Sequence, residues 1–201
     1  EMRSVMGVVC FLTMSAVSVA DDWPQWLGPK RDGVWRENGI LDAFPAEGPK
    51  INWRLPIGGG YAGPAVAGGK VFVTDRQSQP AAADAAAPPA DGSTPATERV
   101  LCLNEADGQV LWTHEYDCPY TVSYPAGPRC TPTVDGDRVY TLGAQGHLFC
   151  FNVADGKVLW SKQFLKDFNL QNAPVWGFAC HPLVDGDKLI CMVGGPGSTV
   201  V

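Results

Sequence analysis

The chain has 201 residues, with 15 Lys and Arg against 21 Asp and Glu, for a formal net charge of −6. That balance excludes a nucleic-acid groove, which needs clustered positive charge to meet phosphates. Hydrophobic residues at 45% supply a core and exclude global disorder, while 23 Gly and 17 Pro are too many breakers for a helical bundle and suit short strands joined by turns.

Arg3 opens a positive start, and an uncharged, mostly apolar run follows over residues 5–19. Ser18 and Ala20 give the small-x-small pattern a signal peptidase accepts, just before Asp21-Asp22. Residues 1–20 therefore read as a secretory signal peptide cut after Ala20, which predicts a periplasmic or secreted protein. The run is shorter than the roughly 20 residues a membrane span needs. Cys10 follows Val8-Val9, a poor context for lipid attachment. No later segment is long and apolar enough to cross a bilayer, so no membrane span is expected.

The stretch Ala-Gly-Pro-Ala-Val-Ala-Gly-Gly-Lys-Val-Phe at 62–72 is the faintest copy of a motif that returns twice. The strand it predicts ends near Val73-Thr74. Residues 77–97 then differ in kind: Ala and Pro dominate, aromatics are absent, and Pro80, Pro88, Pro89 and Pro95 disfavour a helix. This segment reads as a low-complexity, disordered insert in a loop.

Two further motifs recur with one approximate period. Val-Leu-Cys-Leu-Asn-Glu-Ala-Asp-Gly-Gln-Val-Leu-Trp at 100–112 matches Leu-Phe-Cys-Phe-Asn-Val-Ala-Asp-Gly-Lys-Val-Leu-Trp at 148–160 in eight of thirteen positions. Cys-Thr-Pro-Thr-Val-Asp-Gly-Asp-Arg-Val-Tyr at 130–140 matches Cys-His-Pro-Leu-Val-Asp-Gly-Asp-Lys-Leu-Ile at 180–190 in six of eleven. Within one unit, Thr133-Val134, Arg138 to Thr141, Leu148 to Asn152 and Lys157 to Ser161 read as strands separated by Asp-Gly turns, a pair favoured where both central residues of a hairpin need positive φ. Four short antiparallel strands per ~50 residues make a β-propeller blade. The expected fold is therefore all-β, a propeller of four-stranded antiparallel blades. A blade cannot cover both faces alone, so Trp112 and Trp160, each following a repeated turn at Gly108 and Gly156, are expected to dock between neighbouring blades. Trp53 reads as a degenerate first copy.

The unit at 102–112, with Cys102, Asn104, Asp107, Gly108, Gln109 and Trp112, and its partner at 150–160, with Cys150, Asn152, Asp155, Gly156, Lys157 and Trp160, resemble the repeat of the pyrroloquinoline quinone (PQQ)-like propellers. Gly and Trp match in both units and Lys in one. Cys for Ala, Asn for Asp and Asp for Thr are departures. The opening Trp-Pro-Gln-Trp-Leu-Gly-Pro-Lys-Arg-Asp-Gly at 23–33 is similar to that of secreted, planctomycete-type members. The resemblance runs over residues 22–201. Without the leader and the insert, about 160 residues remain, just over three units, whereas propellers close with about four to eight blades. The chain is thus expected to be an N-terminal fragment carrying about three blades of an incomplete ring, with further C-terminal blades as its natural partner.

Six cysteines follow the leader in an oxidising compartment, which invites disulfides. Yet Cys102 and Cys150, and Cys130 and Cys180, are repeat equivalents, which favours small buried strand positions, and no pairing is defined. No two cysteines have C-x-x-C spacing, and the Asp-Gly-Asp triplets at 135–137 and 185–187 read as turns, so no metal site is expected.

Propeller ligands gather where loops approach the central channel. Here those segments are 58–64, 124–132 and 174–182, and they hold Tyr61, Tyr124, Arg129, Trp176 and His181. Arg129 suits a carboxylate, Trp176 a planar ring, His181 a proton relay, and the tyrosines hydroxyl hydrogen bonds. Packing and capping roles are the competing reading for each. The resemblance implies two functions. One is a noncatalytic binding or scaffold module with a protein or polysaccharide partner outside the cytoplasm. The other is a PQQ-dependent dehydrogenase using PQQ and calcium to oxidise an alcohol or sugar. Members of the second kind carry adjacent cysteines and a catalytic Asp beside the calcium. This chain has no Cys-Cys pair, and no Asp or Glu matches those positions, so the binding module is the expectation.

Overall fold

The computed structural model describes residues 21–78, 92–122 and 127–201. The leader and Tyr124 lie outside these residues. Two four-stranded antiparallel sheets follow one another along the chain. The first contains β1 (Ala65–Ala67), β2 (Lys70–Ser78), β3 (Ala96–Asn104) and β4 (Val110–Asp117) in that spatial order. The second contains β5 (Thr133–Asp135), β6 (Arg138–Leu142), β7 (His147–Asn152) and β8 (Val158–Gln163), again in order. These are propeller blades, each running from a short inner strand to an outer one.

The third unit appears as two short pairs. β9 (Leu183–Asp185) pairs with β10 (Lys188–Ile190), and β11 (Met192–Gly195) pairs with β12 (Ser198–Val200). Cys191 separates β10 from β11, and its backbone exchanges hydrogen bonds of 2.8 and 2.9 Å with Val201. β10 and β11 together hold the second-strand place of the blade.

The repeated sequence builds repeated local geometry. In both complete blades the third and fourth strands slip by one residue, between Cys102 and Leu103 and between Cys150 and Phe151. The bulge leaves Leu111 and Leu159 without a cross-strand partner, and both are exposed. The turn before the outer strand is the same twice. Asn104 Oδ1 accepts from the Ala106 amide, and Asn152 Oδ1 from the Ala154 amide, both at 2.8 Å. Asp107 and Asp155 accept from the amides two residues on, at 2.9 and 3.0 Å. Short side chains that bond their own backbone are what such turns select.

Three features differ from the sequence reading. The hairpin register pairs Asp135 with Arg138, so Gly136 and Asp137 are the central residues and only Gly136 has positive φ. In the first blade, by contrast, both Gly68 and Gly69 do. The segment read as an insert at 77–97 is narrower than it looked, because β2 continues through Gln77 and Ser78 and β3 begins at Ala96. Residues 79–91 lie outside the described residues. A four-residue helix, α1 (Phe164–Asp167), follows β8 and drops Phe164 into an apolar cluster with Leu142, Leu148 and Phe178.

The core lies between blades. Phe72, Val100 and Cys102 of the first blade meet Val139 and Phe151 of the second across Trp112. The Trp112 indole lies where a Cβ on Gly156 would fall, 2.5 Å from its Cδ2, and its Nε1 donates to the Val153 carbonyl at 3.1 Å. Trp53 repeats the arrangement one blade earlier. It covers Gly108, again 2.5 Å from where a Cβ would fall, and donates to the Glu105 carbonyl at 2.7 Å. Gly108 and Gly156 have φ of 72° and 70°. They are glycines for two reasons: the left-handed backbone and the absence of space. Trp160 packs against Tyr140 at a ring separation of 6.0 Å and is 38% exposed, against 9% for Trp112.

Candidate functional site

The three inner strands end in hairpins at 68–69, 136–137 and 186–187. The segments entering those strands lie at the opposite end, and there the structure brings three of the candidate residues together. The Arg129 guanidinium sits over the Tyr61 ring, 5.4 Å from its centroid. Its Nε donates to the Trp176 carbonyl at 2.8 Å, and Nη1 donates to the Gly127 carbonyl. Tyr61 and Ala62 both donate backbone N–H groups to the Pro128 carbonyl, at 2.8 and 3.1 Å. Glycines make the close approach possible. A Cβ on Gly127 would meet the Gly59 carbonyl, and one on Gly177 would lie 2.9 Å from the Ala144 carbonyl and 3.4 Å from Arg129 Nε. The result is a cation fixed over the exposed Tyr61 ring, 57% exposed, and tied to the backbone of Trp176, a residue 67% exposed.

His181 does not join this group. Its Nδ1 accepts the Thr131 amide at 2.8 Å, and its ring stacks on Trp26 at 4.6 Å with planes 6° apart. Burial holds its pKa below the usual histidine value. The ring is therefore neutral near pH 7, with its proton on Nε2. Tyr124 lies outside the described residues.

Two buried carboxylates beside this end were missed in the sequence. Asp75, fully buried, accepts from Arg99 Nε at 2.9 Å and Nη2 at 2.6 Å, from the Gly58 amide at 2.6 Å and from Gln77 Nε2 at 2.8 Å. Its hydrogen bonds raise the Arg99 pKa. Glu98, also fully buried, accepts from the Tyr116 and Tyr120 hydroxyls and from the Ala144 amide at 3.1 Å. Burial, then the Glu98 charge, pushes both phenols well above their usual pKa. Because Ala144 belongs to the second blade, Glu98 bolts the two blades together at this end. Strand alternation was the available signal: Glu98 shares a face with Ala96, Val100 and Cys102, all buried.

A calcium-bound quinone needs a cluster of oxygen donors around the metal. Among the described residues no three His, Cys, Asp or Glu side chains come together to hold a metal ion. Asp75 and Glu98 are already saturated by protein donors, and Arg129 is engaged by two carbonyls. The described residues do not fit that group.

The profile of the family described as outer membrane protein assembly factor BamB matches residues 96–200. Among solved structures, the quinohemoprotein alcohol dehydrogenase from Comamonas testosteroni is similar at 18% identity and a TM-score of 0.54, over 85% of this chain and 23% of that one. BamB from Moraxella catarrhalis is similar at 16% identity and a TM-score of 0.48, over 74% of this chain and 39% of that one. A europium-containing methanol dehydrogenase gives 15% identity and a TM-score of 0.42, over 66% and 20%. The chain thus spans well under half the length of each of these structures, and at these identities the likeness is one of fold. No curated protein matches the chain.

Proposed function

The chain belongs to the PQQ-like repeat propeller family whose profile is described as outer membrane protein assembly factor BamB, and we propose that it is a noncatalytic binding module with a protein partner. The observation that carries this reading is the rim of Tyr61, Arg129 and Trp176. Tyr, Trp and Arg are the side chains that dominate binding energy at protein interfaces. Here both rings are exposed and the cation is held in place by backbone carbonyls, so little ordering remains to be done on binding. The family description supports a protein partner. The leader-like residues 1–20 support a place outside the cytoplasm.

A PQQ-dependent alcohol or sugar dehydrogenase is the second reading. It is favoured by the fold likeness to the Comamonas testosteroni enzyme and weakened by the lack of a donor cluster among the described residues. The two separate in one experiment on the full-length protein. PQQ and calcium are added, the mixture is passed through gel filtration, and alcohol-dependent reduction of a dye is measured. The binding module elutes without quinone absorbance and reduces no dye. Retained quinone with alcohol-dependent turnover overturns it. Alongside, Trp176→Ala is expected to weaken partner capture at least tenfold, the size of an interface anchor, with an unchanged melting temperature.

A further inference from the structure

The middle residues of the three inner strands are Val66, Val134 and Val184, equivalent positions in successive blades. Each faces its hairpin partner at Val71, Val139 or Leu189. Inner strands have no neighbour on their other edge within their own blade. Such an edge presents unpaired N–H and C=O groups.

One short stretch of chain reaches all three. Trp23 and Val66 exchange two backbone hydrogen bonds, at 2.8 and 3.0 Å. The Val134 amide donates to the Pro24 carbonyl at 2.8 Å. The Arg31 guanidinium donates to the Val184 carbonyl. Asp22 adds a carboxylate acceptor for the Gly68 amide at the first hairpin, 3.1 Å away. Between Pro24 and Arg31 the chain folds on itself through Gly28 N to Gln25 O at 3.0 Å and Arg31 N to Gly28 O at 3.1 Å. The Trp23 ring closes this loop by lying on Gly28, whose φ is 78° and where a Cβ would fall 2.8 Å from the indole. Trp26 then stacks on His181 of the third unit.

We propose that residues 22–31 are an intramolecular strap that hydrogen-bonds to the inner edge of three successive blades, through its backbone in the first two and the Arg31 side chain in the third, and fixes their rotation about the channel axis. The strap accounts for the otherwise bare polar edges and for two tryptophans, two prolines and a left-handed glycine in so short a segment. It does not depend on the function proposed for the Arg129 rim.

The test uses the full-length protein and site-resolved amide exchange. In the unsubstituted chain the Val66 and Val134 amides exchange far more slowly than in an unstructured peptide. Gly28→Val leaves no room for the Trp23 ring and speeds both about five- to tenfold, the effect of losing one backbone hydrogen bond. The Val100 and Phe151 amides, inside the blades, keep their rates. Arg31→Ala acts only on the third unit: it raises acrylamide quenching of Trp26 and leaves Val66 unchanged. Free-peptide exchange at Val66 and Val134 in the unsubstituted protein overturns the strap, as does a folded Gly28→Val protein with unchanged rates. Should Gly28→Val fail to fold, the unsubstituted rates and Arg31→Ala decide alone.

Discussion

Gly136 and Gly156 allow the cost of docking an indole to be separated from the cost of a backbone conformation. Both have positive φ, 56° and 70°. An alanine at either place adopts a left-handed conformation, at a cost of about 1–2 kcal/mol. Both substitutions also reduce the freedom of the unfolded chain equally, which cancels in the comparison. The surroundings differ. A Cβ on Gly136 meets nothing within 4 Å, whereas one on Gly156 lies 2.5 Å from Trp112 Cδ2 and 2.7 Å from its Cε3. Those atoms belong to a rigid ring wedged between Phe72 and Phe151, at 6.0 and 5.7 Å. The ring has no flexible end to move aside, so overpacking adds about 1–3 kcal/mol. Gly156→Ala should therefore be about 1–3 kcal/mol less stable than Gly136→Ala. With a urea m-value of about 2 kcal/mol/M, the midpoints should differ by about 0.5–1.5 M. Gly108→Ala, placed 2.5 Å from Trp53 Cε3, should behave as Gly156→Ala does. Tryptophan fluorescence against urea measures all three. A difference below about 0.5 kcal/mol, the ordinary scatter of surface substitutions, would refute the idea that glycine admits the indole.

Two other outcomes follow from the buried carboxylate. Glu98→Gln replaces one acceptor oxygen with an amide donor facing a phenol that already donates, so a loss of about 2 kcal/mol is expected. A urea midpoint equal to that of the parent chain would show that Glu98 does not bolt the blades. Stability should also fall in alkali. Tyr116 and Tyr120 have folded pKa values raised above the unfolded value near 10, so their neutral forms favour the folded state fully below pH 10. That contribution is lost as pH rises further, at about 1.4 kcal/mol per pH unit for each phenol. Burial also pushes the Cys102 and Cys191 thiols up to about 11, so their contribution begins to fall above pH 9. Urea midpoints measured from pH 8 to 11 test the sign, and a flat profile contradicts it.

The repeat made the blades legible before any coordinates. Residues 100–112 and 148–160 differ at five positions, yet they fold into the same bulge and the same Asn-Asp turn, because those features are local and the needed side chains are present twice. The propeller class followed from that repeat together with the one at 130–140 and 180–190, which shares its approximate period. What the sequence hid was everything that depends on a contact across blades. Arg129 stood out as a candidate ligand residue, but its carbonyl acceptors at Gly127 and Trp176 are backbone atoms and carry no signal in residue type. His181 was grouped with it because both lie in segments expected to approach the central channel, while its ring turns to Trp26, more than 150 positions away. The hairpin at 135–138 was read one residue out of register, since Asp-Gly-Asp allows either pair to be central and only the strand pairing chooses.

Comparing the two complete blades position by position shows where each is free to differ. At the turn end, Asn104, Asp107 and Gly108 have Asn152, Asp155 and Gly156 as counterparts. At the other end, the same offset of 48 sets Glu98 against Gly146, Tyr116 against Phe164 and Tyr120 against Phe168. The aromatic rings persist and the polar atoms vanish. In the second blade, Phe164 and Phe178 close over Gly146 at the place where the first blade holds its carboxylate. Stacking explains the contrast. A turn that receives the neighbour's indole meets the same partner in every blade, so one solution serves repeatedly. The opposite end meets a different neighbouring loop each time, and its chemistry follows that loop: a carboxylate reaching the Ala144 amide in one blade, an apolar plug in the next. Individuality is therefore concentrated at the end that also carries Tyr61, Arg129 and Trp176. A surface that distinguishes this chain from others built on the same repeat belongs there.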